Sequence, residues 1–329
     1  MINEAAVRGL AREFCSFLRS PREESDSRWQ SSARDIASSP DIAADDLQKL
    51  WNVVLAFDDT LHQHIHSPLP LSRPVVIVAG SGKESFKTFN VSTAATLLAA
   101  ASGACVIKGV SASVSAVSGS ADVLTALGIP FVTSPDMIPR ALDRHGLAFV
   151  SYSSFCPQYA KRYDGVFSTL TPFSFFMPPS VLAVQAEAFV YGIADARVGL
   201  TARAVATARP DIPRGTVVST TLAPGTVMDE GAPYGLNYRA DLDRERITVS
   251  IASRPTAPES WGVAVRQRAS HTGNAARITA ALAPDGCESS ARLVEHNAAL
   301  ILWEYHGRRL SQSRRFEEGA RDTTRRPSR

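Results

Sequence analysis

PVVIVAGSGKESFKTFNVSTAATLLAAASGACVIKGVSASVSAVSGSADVLTALG, residues Pro74 to Gly128, places two strand-to-helix turns one after the other. The run Val75-Val76-Ile77-Val78 is apolar at every position, as a strand buried on both faces must be, and it stops at Ala79-Gly80-Ser81-Gly82. Asn90-Val91-Ser92-Thr93 then opens the small-residue run Ala94 to Ala101, a helix closed by Gly103. Glycines let backbone N–H groups approach an anion closely, and a helix N-terminus presents unpaired donors to it, so the arrangement suits phosphate. A single Gly-x-Gly fits a plain strand-to-helix turn equally well, with Ser92 or Thr93 merely capping the helix. The pattern recurs, however. A second strand, Ala104 to Lys108, leads through a Ser/Ala/Val loop to Ser118-Gly119-Ser120-Ala121-Asp122, the start of a helix that ends at Gly128. Two hydroxyl-lined turns side by side belong at the carboxyl edge of a parallel sheet, where open α/β sheets bind ligands.

These residues carry a resemblance. The stretch is similar to the core of the anthranilate phosphoribosyltransferases, in the fold family they share with pyrimidine nucleoside phosphorylases. That family's G-T-G-G-D…T-F-N-I-S-T stands here as Gly80-Ser81-Gly82-Lys83-Glu84…Thr88-Phe89-Asn90-Val91-Ser92-Thr93, without a gap. Its A-K-H-G-N-R…S-G-S-A-D-V-L-E-A-L-G stands as Ile107-Lys108-Gly109-Val110-Ser111-Ala112…Ser118-Gly119-Ser120-Ala121-Asp122-Val123-Leu124-Thr125-Ala126-Leu127-Gly128. The resemblance implies a site for phosphoribosyl pyrophosphate (PRPP) built from Gly80, Ser81, Gly82, Lys83, Asn90, Ser92, Thr93, Lys108 and Ser118. It also implies Mg2+ held by Ser92 with Asp229 and Glu230, which match the family's G-L-D-E motif. Magnesium favours oxygen ligands and takes few carboxylates when substrate phosphates complete its shell. By themselves, adjacent acids in the turn-rich Pro224–Gly231 segment read as a solvated loop. In the glycine loop Lys83 replaces a glycine, and Glu84 replaces the aspartate.

On the acceptor side the chain departs from that pattern. Where the family has H-G-N-R, this sequence has Gly109-Val110-Ser111-Ala112, and Cys156 stands where a histidine is expected. The arginine pair that follows has no counterpart in Tyr163-Asp164-Gly165-Val166-Phe167-Ser168. An aromatic carboxylate would lose charge-assisted partners worth about 1.5–3 kcal/mol each. Gly109, Val110, Ser111, Ala112 and Cys156 are the expected acceptor positions. With Phe155, Phe167, Phe173, Phe175 and Phe176 they suggest a flatter, more neutral aromatic or heteroaromatic acceptor than anthranilate, in a role suited to secondary metabolism.

The remaining chain frames this core. Residues 4–19 put Val7, Leu10, Phe14, Phe17 and Leu18 on one helical face, Pro21 to Ser32 reads as turns, and a second helix is expected over about 45–64. His62, His64 and His66, spaced by two, would splay around that helix and read as a solvated end rather than a metal site. Beyond Gly128 a short strand is expected at Ile129–Val132, a helix from Ser134 to Gly146 and a strand at Leu147–Ser151. Helices are then expected at Val181–Tyr191 and Val198–Ala208. Strands at Thr216–Leu222 and Arg246–Ala252 follow, and helices near 273–282 and 290–309 close the fold. The charged segment 311–329 lacks an apolar face and reads as disordered.

Composition agrees with an ordinary globular protein: 329 residues, 44% hydrophobic, a net charge of +3 and a mean hydropathy of −0.05. The basic excess sits partly in the tail, and only Lys49, Lys83, Lys87, Lys108 and Lys161 are lysines, so no nucleic-acid-binding stripe is expected. The scattered cysteines Cys15, Cys105, Cys156 and Cys287 read as free thiols of a reducing cytoplasm, and no segment reads as a signal or membrane span. The expected fold is α/β, a small helical domain (1–70, completed by about 180–192) beside a phosphoribosyl-binding domain (71–310) with a mixed, mostly parallel sheet. A homodimer is implied by the resemblance. The expected activity is a Mg2+-dependent phosphoribosyl transfer from PRPP to a small acceptor. A nucleoside phosphorylase, favoured by Lys83 in the loop, and a non-catalytic relative remain as alternatives.

Overall fold

The computed structural model describes residues 4–22, 26–111 and 119–307. One sheet runs through it, built from β1 (Val76–Gly80), β2 (Val106–Val110), β3 (Leu147–Ser151), β4 (Ala188–Gly192), β5 (Arg214–Ala223), β6 (Thr226–Met228), β7 (Leu236–Asp243) and β8 (Arg246–Ser253). The strand order is β3-β2-β1-β4-β5-β7-β8, with β6 also paired to β5. From β3 to β5 every pairing is parallel, and β5 through β8 pair antiparallel. The sheet is mixed and mostly parallel, as expected.

The uninterrupted apolar run of β1 is explained by burial on both faces. Val75, Ile77 and Ala79 join a core with Phe14, Phe17 and Trp51 of the N-terminal helices. Val76 and Val78 point into a second core with Val91 and Ala94 of helix Val91–Ala101 and with Leu293, Val294 and Ile301 of helix Glu288–Tyr305. The alternation is the period-two geometry of a strand.

Several expectations are corrected. The segment Val181–Tyr191 is not a helix: residues 188–192 form β4, hydrogen-bonded in parallel between β1 and β5. Its run Ala188-Phe189-Val190-Tyr191 is fully or almost fully buried, and an apolar run of that length fits a buried helix or a buried strand equally until its neighbours are known. Pro21–Ser32 contains the start of a helix, Asp26–Ser38, whose buried Trp29, Ala33 and Ala37 recur every fourth residue. The helix expected over 45–64 is two, Ala44–Phe57 and Asp59–His66. Asp58 divides them: one carboxylate oxygen accepts the Leu61 N–H at 3.0 Å and the other the Tyr159 N–H at 2.8 Å. Ile129–Val132 contributes only a bridge from Val132 to Val150. His62 and His66 stack with centroids 4.2 Å apart, one turn apart on their helix.

All cysteines are free. No helix among the described residues is long and apolar enough to cross a membrane. Ala112, Ser118 and the segment 308–329 lie outside the described residues.

Candidate functional site

The parallel strands β1 to β4 end at a common edge. From β1 the chain crosses to β2 and β3 on one side and returns to β4 on the other, making the β1/β4 crevice a switch point of the topology. A cavity of about 230 Å³ lies there. Gly80, Ser81, Gly82 and Lys83 from the turn after β1 line it, together with Asn90 and Ser92 from the start of helix Val91–Ala101. Lys108, Gly109, Val110 and Ser111 contribute from the end of β2, and Asp229 and Glu230 from the loop after β6. Residues remote in sequence thus meet because the sheet brings its strand ends together.

Two backbone features hold this geometry. Gly82 has φ +61°, a left-handed conformation that glycine adopts without steric cost. At Gly192, the last residue of β4, an added Cβ would lie 1.6 Å from the Asp229 carbonyl oxygen, so only glycine lets the acidic loop pack so closely. Asp229 then braces the glycine turn. One of its oxygens accepts the Ser81 hydroxyl at 3.0 Å and the Gly82 N–H at 2.9 Å. Ser81 Oγ in turn accepts the Ala194 N–H at 3.2 Å, tying the turn to the segment after β4.

The electrostatics follow from burial. Lys108 is 3% exposed; burial lowers its amine to about 8, opposed by the negative Asp229 and Glu230. Burial, then repulsion from Asp229, raises Glu84 to about 8, with Lys87 at 3.3 Å pulling the other way. Glu230 is pushed well above the usual carboxylate range by burial and by Asp229 and Glu84. Its Oε1 accepts the Thr88 hydroxyl at 2.7 Å, whereas Oε2 is buried without a hydrogen-bond partner among the described residues, as is Glu84 Oε2. Such orphaned oxygens among like charges suit a hard divalent cation. No three His, Cys, Asp or Glu side chains among the described residues converge to hold a metal alone. The donor chemistry, two orphaned carboxylate oxygens beside Asp229, fits a hard cation such as magnesium.

Lys83 takes an unexpected course. Its ammonium donates to the Phe167 carbonyl, and burial, aided by Lys87, lowers it to about 8, opposed by Glu84 and Asp164. The glycine turn is thereby linked to a second part of the lining, where Tyr152, Tyr159, Tyr163, Asp164, Phe167 and Phe173 stand.

Among the described residues, two of the sequence-predicted site residues do not line the cavity. Thr93 is fully buried inside its helix. Cys156 is fully buried too; its thiol donates to the Tyr152 carbonyl at 3.4 Å and burial pushes it well up. Of the phenylalanines read as acceptor wall, only Phe167 and Phe173 reach the cavity. Phe155, Phe175 and Phe176 are core residues, Phe176 packing edge-on against Trp51 at 5.8 Å. Tyr152, Thr88 and Asp164 are lining residues beyond those expected: Tyr152 and Asp164 belong to no sequence motif, and Thr88 lies in the glycine-loop motif but not among its expected ligands.

The glycosyl transferase family, a/b domain, matches residues 72–315. Among curated relatives, the anthranilate phosphoribosyltransferase of Halobacterium salinarum (strain ATCC 29341 / DSM 671 / R1) is 31% identical over 201 residues, 59% of this chain and 55% of the relative. That of Shewanella baltica (strain OS195) is 31% identical over 245 residues, 71% of this chain and 64% of the relative. The chain thus spans between half and two thirds of the length of these relatives. Among solved structures, the anthranilate phosphoribosyltransferase from Thermus thermophilus superposes with a TM-score of 0.66 at 20% identity, covering 93% of this chain and 86% of the other. The Saccharomyces cerevisiae enzyme in complex with PRPP and Mg gives a TM-score of 0.56 at 15% identity, covering 93% and 90%. These superpositions share the fold described above.

Proposed function

The chain belongs to the glycosyl transferase family, with residues 72–315 as its a/b domain, and from that membership we propose that it transfers a phosphoribosyl group from PRPP to a small aromatic acceptor other than anthranilate. The observation that carries the reading is the meeting, at the β1/β4 switch point, of the glycine turn, Ser92, Lys108 and the Asp229-Glu230 pair in one cavity. Backbone N–H groups of the turn and the Lys108 ammonium are placed to receive phosphate oxygens. Ser92, Asp229 and Glu230 would hold magnesium, with Glu84 beside them; when bound, the ion neutralises charge on the departing pyrophosphate. The protein's own part is positioning: the braced turn fixes the donor, and the buried setting of Lys108 strengthens each charge-assisted contact. The absence of arginine from the described lining, with Asp164 present instead, supports an acceptor other than anthranilate. The homodimer, cytoplasmic location, secondary-metabolic role and division into a helical part and an α/β part belong to the same proposal, except that residues 188–192, expected to complete the helical part, are β4 of the sheet.

Calorimetric titration of the full chain with PRPP and Mg2+ tests the donor half, with expected saturable, Mg2+-dependent heat. Ser92→Ala combined with Asp229→Ala should abolish that heat. The absence of any heat with the wild-type protein would overturn the reading, as would binding of inorganic phosphate in its place.

A further inference from the structure

The second part of the cavity lining contains a carboxylate with an unused face. Asp164 lines the cavity just beyond helix Pro157–Tyr163, and its Oδ1 accepts the Tyr152 hydroxyl. Its other oxygen, Oδ2, has no hydrogen-bond partner among the described residues, yet it is not sealed in the core. Aromatic residues share the lining with it: Tyr159 and Tyr163 stack at 4.7 Å, and Tyr163 stacks on Phe167 at 4.6 Å. No arginine among the described residues lines this cavity. Arg22, whose charge acts on Asp164, donates to the backbone carbonyls of Lys161 and Asp164 and is not part of the lining. Lys83 is directed to the Phe167 carbonyl.

We propose that Asp164, oriented by Tyr152, is the acceptor-specificity residue: it receives an N–H or O–H of a planar ring that carries no carboxylate. The inference deepens the phosphoribosyl-transfer reading and rests on it for the word acceptor. Three physical points support it. A half-buried carboxylate repels a carboxylate-bearing ring and attracts a donor group, and both effects grow as water is excluded. Burial raises Asp164 while the Tyr152 hydroxyl, Lys83 and Arg22 lower it, so the charged form has stabilising partners without a cation seated on Oδ2. Tyr152 holds Oδ1, so the carboxylate is oriented before a ligand arrives.

The test is direct binding without PRPP. Ligand-observed NMR titrations of the full chain use 2-aminophenol, which keeps an amine and a hydroxyl, and anthranilate, which replaces the hydroxyl by a carboxylate. Wild-type protein should bind 2-aminophenol at least about tenfold more tightly than anthranilate. Asp164→Ala should weaken 2-aminophenol about ten- to hundredfold, the worth of a charge-assisted hydrogen bond. Asp164→Arg should invert the preference. Tyr152→Phe keeps the carboxylate but frees its orientation, so it should show a smaller loss; it decides the matter if the Asp164 variants do not fold. A wild-type preference for anthranilate, no binding of either ring, or unchanged 2-aminophenol affinity in a folded Asp164→Ala would overturn the proposal. Discrimination between the rings with no PRPP heat would sink the phosphoribosyl reading alone. PRPP binding without discrimination would sink the Asp164 inference alone.

Discussion

Lys83→Met keeps the length of the side chain and deletes its charge. In the folded protein the amine is lowered from 10.5 to about 8, chiefly by burial. Between those values the unfolded chain holds a proton that the native state has released. Native stability therefore rises as pH climbs from about 8 to 10.5, and below 8 this group adds no pH dependence. The full window corresponds to about 3 kcal/mol, and the part up to pH 9.5 to about 2 kcal/mol. Lys83→Met removes this dependence, and its loss of the hydrogen bond to the Phe167 carbonyl acts as an offset common to both pH values. Urea unfolding of wild type and variant at pH 7 and 9.5 isolates the effect as a difference of differences. The stability of wild type relative to variant should improve by about 2 kcal/mol at the higher pH. A second arm uses the ligand. If PRPP pairs with the amine, its pKa rises on binding, and calorimetry at pH 8.5 in buffers of different ionisation enthalpy should report proton uptake that Lys83→Met lacks. A pH-independent stability difference would refute the argument that Lys83 is a desolvated member of the cavity lining.

Other outcomes follow from single contacts. Gly192→Ala drives a Cβ into the Asp229 carbonyl, 1.6 Å away before relaxation, and should cost about 1–3 kcal/mol or more in denaturant unfolding while weakening PRPP binding. Arg209→Leu removes a guanidinium, 1% exposed, that donates to the Leu182 and Val184 carbonyls at 2.8 Å each, and should cost about 3 kcal/mol or more by leaving buried acceptors unpaired. Glu84→Gln should raise the stability of the ligand-free protein most near pH 8 and least near pH 5. Glu84 sits at about 8 in the native state against 4.5 unfolded, so its burial cost grows as pH rises through that window. Thermal unfolding at both pH values checks the sign.

What the sequence determined by itself was local and periodic. The apolar run at Val75–Val78, the glycines after it and the hydroxyl-rich helix start specified a buried strand, a turn and a phosphate-suited helix start, because each depends on a handful of adjacent residues. The family resemblance, rather than this local logic, placed Ser92, Lys108, Asp229 and Glu230 in one list, and all of them line the cavity. Tertiary structure decided the rest. Residues 188–192 are a strand because β1 and β5 flank them, and no property of Ala188-Phe189-Val190-Tyr191 alone distinguishes that outcome from a buried helix. Thr93 follows the cavity residue Ser92 in sequence but lies inside the core, since the direction of one Cα–Cβ bond on a packed helix separates lining from filling, and Cys156, just ahead of helix Pro157–Tyr163, is buried as well. Lys83 crosses to Phe167, and Asp164 meets Tyr152, through chain paths that no spacing rule relates. Burial, which sets the charge of Lys83, Lys108 and Glu84, is a property of the neighbours that the fold supplies, and it became visible only when they were assembled.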